Sequence, residues 1–303
     1  VKIRRCSAIL FALISVASAA DLNTTRIDQL TGLKGKFNDK EGVYKVTFPR
    51  SDVKVSVDGW IMPPFMGLGT WAAFTQTPTG AMVMGDTVLF EDEVNAAMST
   101  ALENGLNVTA LHNHFFFDHP KVYFMHIEGE GGVDKLAGAV RKVYDAAKQI
   151  RAGNSQPKDS FGAMPLPQKN SINAARINEI FGAQGESKDG MLKFTFGRPA
   201  KMHGTNIAKD MGVNTWAAFA GSDDNAVVDG DFAVTEDELQ PVIKSLLKDK
   251  IKIVAIHQHM THEEPKIMFF HYWGRGDAKD LANAIKGGLL VGGLLEVSSP
   301  LQN

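Results

Sequence analysis

Residues 111–131 read LHNHFFFDHPKVYFMHIEGEG, and residues 256–276 read IHQHMTHEEPKIMFFHYWGRG. Laid over each other at a fixed offset of 145, the two stretches share H-x-H, an acid-rich turn ending in Pro-Lys, then F/M-x-H, then G-x-G. Eight of the nine histidines of the chain lie in these two windows, and only His203 lies outside. A motif that appears twice at one spacing points to a duplicated unit. Histidines gathered this way point to metal ligation as the first reading.

Alternating, apolar-rich runs on either side of a Pro-containing turn predict a β-hairpin in each copy. In a strand, side chains alternate, so His112 and His114 share one face, ~6–7 Å apart at the backbone. A turn centred near His119 places His126 across from His112. In the second copy, a turn centred on Glu264 places His271 across from His257, with His259 beside them. Each copy therefore offers three imidazoles on one face, and the turns offer carboxylates: Glu263 and Glu264 in the second copy, Asp118 beside His119 in the first. The candidate metal ligands are His257, His259, His271, Glu263 and Glu264, together with His112, His114, His126 and His119. The spacing His257-x-His259-x3-Glu263 is similar to the first metal motif of cupins, as ligand chemistry on another fold. Imidazole and carboxylate suit a divalent transition metal, zinc first, with copper, iron, nickel or manganese as alternatives. Three imidazoles and an open position would make a catalytic zinc, with Glu263 or Glu264 as general base to a bound water.

Outside the two windows the duplication continues. Thr215–Phe219 repeats Thr70–Phe74 letter for letter as TWAAF, and Glu236-Asp237-Glu238 repeats Glu91-Asp92-Glu93. Each unit reads α-β-β-β-β-α-β-β-α. The predicted elements of the first are a helix at Thr24–Leu30, strands at Val43–Phe48 and Val53–Val57, and a loop at Trp60–Gly69. A hairpin (Thr70–Thr75 with Ala81–Phe90), a helix at Glu91–Asn104, the histidine hairpin and a helix at Val133–Ile150 follow. Residues 151–170, with three prolines and many small polar residues, read as a linker between the units. The expected fold class is α+β: two tandem homologous repeats, at 21–150 and 171–303, each an antiparallel sheet with helices on one face. A ferredoxin-like-type core in each would form an intrachain pseudo-dimer. Phe115-Phe116-Phe117, Trp71 and Trp216 read as core or pocket wall.

Composition narrows the partners. The net charge is −2, and no basic stripe stands out, which argues against nucleic acid. Lys2, Arg4 and Arg5 precede an apolar run at Ala8–Val16 and the small residues Ala17-Ser18-Ala19, so residues 1–20 read as a secretory signal peptide. The chain is then expected to be exported, periplasmic or extracellular. No later run is long and apolar enough to be a transmembrane helix. The single cysteine, Cys6, lies in the leader, so the remainder carries no disulfide and no thiolate ligand.

The phrases NTWAAF, HNHFFFDHPKVYFMHI and HQHMTHEEPKIMFFHYWG resemble the LppY/LpqO family of bacterial exported proteins, over nearly the whole chain past the leader. The resemblance implies an exported protein with a duplicated domain, and it supplies no reaction. His119 stands where the family is usually acidic, His262 where it often has glycine, and a lipobox cysteine is missing. Two functional classes remain open at this stage. One is an envelope protein that binds a divalent ion in coordinatively closed sites. The other is a metal-dependent hydrolase or oxygenase acting on a small molecule. A hairpin merely braced by hydrogen-bonded histidines is the plainer alternative to both.

Overall fold

A computed structural model describes residues 22–295; the expected signal peptide lies outside them. The first repeat runs α1 (Thr24–Thr31), β1 (Lys36–Asn38), β2 (Val43–Pro49), β3 (Ser56–Val57), β4 (Trp60–Ile61), β5 (Gly69–Thr77), β6 (Gly80–Phe90), α2 (Glu91–Glu103), β7 (Asn107–His112), β8 (Asp118–His119), β9 (Val122–Gly131) and α3 (Val133–Gly153). The second runs α4 (Ala174–Phe181), β10 (Glu186–Lys188), β11 (Met191–Gly197), β12 (Ala200–Met202), β13 (Thr205–Ile207), β14 (Asn214–Gly221), β15 (Ala226–Thr235), α5 (Glu236–Lys248), β16 (Lys252–His257), β17 (Glu263–Glu264), β18 (Ile267–Gly276) and α6 (Ala278–Val291). Short 3-10 turns at Pro64–Met66 and Lys209–Met211 precede β5 and β14.

Local chemistry explains the shared frame. Asn23 and Asn173 cap α1 and α4 by accepting from the N–H groups of Arg26 and Arg176. Gly32 and Gly182 close those helices at φ 68° and 64°, a region that favours glycine. The acidic triplets at the starts of α2 and α5 complement the helix dipole. Their third members, Glu93 and Glu238, reach back to accept from the N–H groups of Phe90 and Thr235.

The two repeats do not keep separate sheets. Twelve strands form one sheet in the order β1-β2-β5-β6-β9-β7-β16-β18-β15-β14-β11-β10, so the second half reverses the first. All its recorded pairings are antiparallel. The architecture is thus a two-repeat, mixed α/β protein built on a large antiparallel sheet. Within each half, β9 lies between β6 and β7, and β18 between β15 and β16.

The halves join where β7 meets β16, at the single pair Leu111↔Ile256. Each inner strand carries a bulge beside this junction, at Val108/Ala110 and at Ile253/Ala255. A side-chain amide from the other repeat clamps each bulge. Asn95 of α2 accepts from Ile253 N–H at 2.7 Å and donates to Ile253 C=O at 3.2 Å. Gln240 of α5 does the same for Val108, at 2.9 Å in both directions. Backbone groups orphaned by the bulges are thereby satisfied across the repeat boundary.

One face of the sheet packs on the helices. Met125, Ile127, Phe270 and Tyr272 point into a single core shared with helix residues of both repeats, such as Met98, Val140, Ile243 and Ile285. The alternate residues face the other way, and there the histidines stand. Two small sheets, β4-β3-β8 and β13-β12-β17, border that second face over satellite clusters around Phe124 and Phe269.

Several expectations need correction. Val53 and Val55 are buried, but only Ser56–Val57 of the expected Val53–Val57 strand pairs with neighbours. The expected loop at Trp60–Gly69 holds β4 and a 3-10 turn. Of the three consecutive phenylalanines, Phe115 packs on a core cluster, whereas Phe116 and Phe117 are 86% and 73% exposed. Trp71 and Trp216 are only partly buried, each under a lysine ammonium, at 4.1 Å for Lys45 and 4.5 Å for Lys193. Helix α3 runs on to Gly153, because Arg151, at the start of the expected linker, is buried and paired with Asp92 and Glu93.

Candidate metal centre

In the second repeat, His257 ends β16, His259 follows it, and His271 stands mid-way along β18. Their ligand nitrogens all lie within 4.8 Å of one another, the one such group of three among the described residues. The rings of His257 sit 5.0 Å from those of His259 and 4.9 Å from His271, centroid to centroid. His259 lies flat on Phe269 at 3.5 Å, which sets its plane although it is past the strand end. His271 Nδ1 is 3.4 Å from the Gly230 carbonyl. That contact favours a proton on Nδ1 and leaves Nε2 as the ligand atom.

The pairing differs from the one expected. His257 stands opposite Phe269, and His271 opposite Ala255. In the first repeat His112 faces Phe124, and His126 faces Ala110. Each hairpin is thus displaced by two residues from the symmetric arrangement. A shift of two keeps every side chain on its face, so the histidines still converge, now diagonally.

Sequence reasoning missed the acid. Asp231 on β15 pairs directly with His271 on β18, and Asp86 on β6 with His126 on β9. Both are buried, and each has one carboxylate oxygen with no hydrogen-bond partner. Asp231 Oδ2 lies 3.4 Å from His259 Nε2. Burial pushes the Asp231 carboxyl up to about 7, helped by Asp229 and opposed by the N–H groups of Phe232 and Phe270. Burial also lowers His257 and His259, as do their fellow imidazoles. Burial thus favours neutral imidazoles at His257 and His259, beside a carboxyl that lacks a cation. A divalent ion would reverse that balance. The signal was present as Gly85-Asp86 and Gly230-Asp231, an acid at the repeat spacing inside largely apolar strands. The glycine is needed, because a Cβ at Gly230 would meet Tyr272 Oη at 2.2 Å.

Glu263 and Glu264 do not join the cluster. Glu263 is buried and its Oε1 accepts from Ile267 N–H at 3.1 Å, as Asp118 Oδ2 accepts from Val122 N–H at 2.7 Å. Both carboxylates are held by the turn they close. Glu264 is exposed opposite Lys201, and His119 is exposed opposite Ser56. His262 sits at φ 66°, near His203, with ring centroids 6.0 Å apart.

The first-repeat cluster is looser. His112 lies 5.0 Å from His114 and 5.2 Å from His126, and His114 stacks on Phe124 at 3.3 Å. His112 Nδ1 is held 3.2 Å from the Phe124 carbonyl. Asp86 is raised by burial, but His126, His112 and Lys45 pull it back.

No curated protein is significantly similar in sequence to this chain. Among solved structures, it is similar to the trimeric bacterial microcompartment shell protein PduB, with TM-score 0.23 and 10% identity over 85% of this chain and 89% of that one. A double-ringed trimeric shell protein of the RMM microcompartment matches with TM-score 0.18 and 10% identity, over 78% and 86%. Likenesses that weak carry no argument. The family described as Domain of Unknown Function (DUF1259) matches at residues 25–146 and again at 175–290, one match per repeat, and the chain belongs to that family.

Proposed function

We propose that this chain is an exported protein that binds a divalent transition metal, zinc first, at His257, His259 and His271, with Asp231 supplying compensating charge. The observation that carries the reading is the convergence of three imidazole nitrogens within 4.8 Å. Nitrogens on a tetrahedral zinc, each about 2.1 Å from the ion, sit about 3.4 Å apart. Metal binding would draw the nitrogens together from their present spacing. His112, His114 and His126, with Asp86, form the weaker counterpart. The family reading at the finer level is the LppY/LpqO group. The β-α-β-β-α core of each half is read as ferredoxin-like, and the two halves as an intrachain pseudo-dimer. Export rests on the leader sequence alone.

The test is elemental analysis of the full chain, purified without a His-tag, beside His257→Ala/His259→Ala. One or two equivalents of a transition metal, reduced in the variant, support the reading. A metal-free protein whose variant is only less stable would sink it and leave a histidine-braced hairpin. A second reading, a metal-dependent enzyme, is favoured by one observation: a cavity of about 520 Å³ has His271 in its wall. Glu263 is engaged with the turn and would not serve as its base.

A further inference from the structure

The cavity beside His271 is built by both repeats and by the segment between them. Trp273 stands on β18, Lys252 and Val254 on β16, Tyr123 on β9, and Phe161 reaches in from the connecting segment. Its volume lies within the range of small-molecule sites. The first repeat lacks the same parts. At the offset of 145, Glu128 stands for Trp273 and Met84 for Asp229, and the connecting segment occurs once.

The walls define a chemistry. Three aromatic side chains, Trp273, Tyr123 and Phe161, offer flat apolar surface. Lys252 is half-buried opposite Trp273, and its Nζ lies 5.2 Å over the Phe161 ring. Among the described residues it has no carboxylate within salt-bridge distance. The acids at the cavity are weaker competitors for a ligand's place. Asp92 is committed to Arg151 and to Lys158 N–H. Burial holds Glu91 above the ordinary carboxylate range against the pull of Lys121. Asp229 is exposed. An ammonium without a partner beside aromatic walls calls for a flat apolar body that carries a negative charge.

We propose that this cavity binds a small aromatic carboxylate, with its ring among Trp273, Tyr123 and Phe161 and its anion on Lys252. The proposal deepens the metal reading by giving that centre a ligand class at the edge of His271, while the binding itself needs no metal.

Calorimetric titration of the full chain with 2-naphthoate and with the uncharged 2-naphthalenemethanol tests it. The acid is expected to bind at least about tenfold more tightly than the alcohol, the scale of one charge-assisted hydrogen bond. Lys252→Gln should remove that preference. Phe161→Ala, at an exposed position outside the sheet, should weaken both ligands and leave the thermal melt unchanged. No saturable binding, equal affinity for acid and alcohol, or unchanged affinity in both variants would overturn the proposal. Binding of naphthoate by a protein that holds no metal would leave the proposal standing and remove the metal reading. Metal retained without naphthoate binding would do the reverse.

Discussion

The two repeats share a frame but differ in what they place on its open face. In the second, three imidazoles close to within 4.8 Å, and a cavity adjoins His271. In the first, the trio is looser, and the surrounding loops are apolar. Trp60, Ile61, Phe65 and Phe116 are 54%, 55%, 98% and 86% exposed. Their counterparts in the second repeat are Thr205, Asn206, Asp210 and Thr261. Since the polar version of these loops folds on the same small sheet, the apolar residues are not needed for the fold. Duplication kept the strands, caps and amide clamps that hold the sheet, and it released the loops and cluster edges to diverge.

The largest expected effect separates the clusters. His257→Ala/His259→Ala should lower affinity for zinc by more than about a hundredfold, since loss of an outer-shell partner alone costs about 10–100-fold. His112→Ala/His114→Ala should leave the tight site intact. Competition titration with a chromophoric chelator reads both. Equal losses from the two pairs would mean that the repeats are equivalent, against the geometry.

The next effect concerns the buried acids. Asp231, ordinarily at 3.8, sits at about 7 in the metal-free fold. The folded state then holds a proton that the unfolded chain has released, so this group's contribution to stability is lost as pH rises from about 4 to about 7. The difference corresponds to about 4 kcal/mol. The histidines have the opposite sign. Buried His257 and His259 lie below the ordinary 6.5, so their contribution is lost as pH falls below that value. Asp231→Asn isolates the acid: above pH 7, without metal, it should be more stable than the parent by up to about 4 kcal/mol. It should also bind zinc about 10–100-fold less tightly. Asp86→Asn should gain less, because His126, His112 and Lys45 already favour the Asp86 carboxylate. Urea titrations at pH 5 and pH 8 measure both variants. A gain for Asp231→Asn that is the same at both values would show that Asp231 is not the titrating group.

The reach of the sequence follows from these elements. Repeats, hairpins, helices and the histidine trios were legible because they depend on residue type at fixed local spacing. The merger into one sheet was not, because it rests on a single strand pair, Leu111↔Ile256, between apolar residues that look like any core. The hairpin register was off by two because the Pro-containing turn is not centred where the sequence symmetry puts it; the bulges lie beyond the histidine pairs and do not alter their register. Asp231 was overlooked because its neighbour His271 lies 40 positions away in sequence and opposite it only in the sheet. Glu263 was overvalued for the converse reason, as an acid close to histidines in sequence whose carboxylate is taken by a backbone N–H.

The clamps allow a finer comparison across the repeat boundary. Asn95→Ala and Gln240→Ala each leave one N–H and one C=O at a bulge without their partner, at Ile253 and Val108. Each should cost about 1–3 kcal/mol in denaturant unfolding. A cost confined to one variant would show that the junction leans on one repeat.

The smallest expected effect addresses the turns. Glu263→Gln and Asp118→Asn keep a side-chain oxygen for the N–H groups of Ile267 and Val122 and exchange a charged acceptor for a neutral one; Asp118→Asn also gives up the ion pair with Lys121. Each should lower stability by about 1 kcal/mol, the difference between charged and neutral acceptors. Neither should change zinc affinity by more than about twofold, because both carboxylates brace turns and stand outside the cluster. A large loss of zinc from Glu263→Gln alone would return Glu263 to the ligand set. It would also mean that the turn opens when metal binds, so that the second repeat differs from the first in motion as well as in residues.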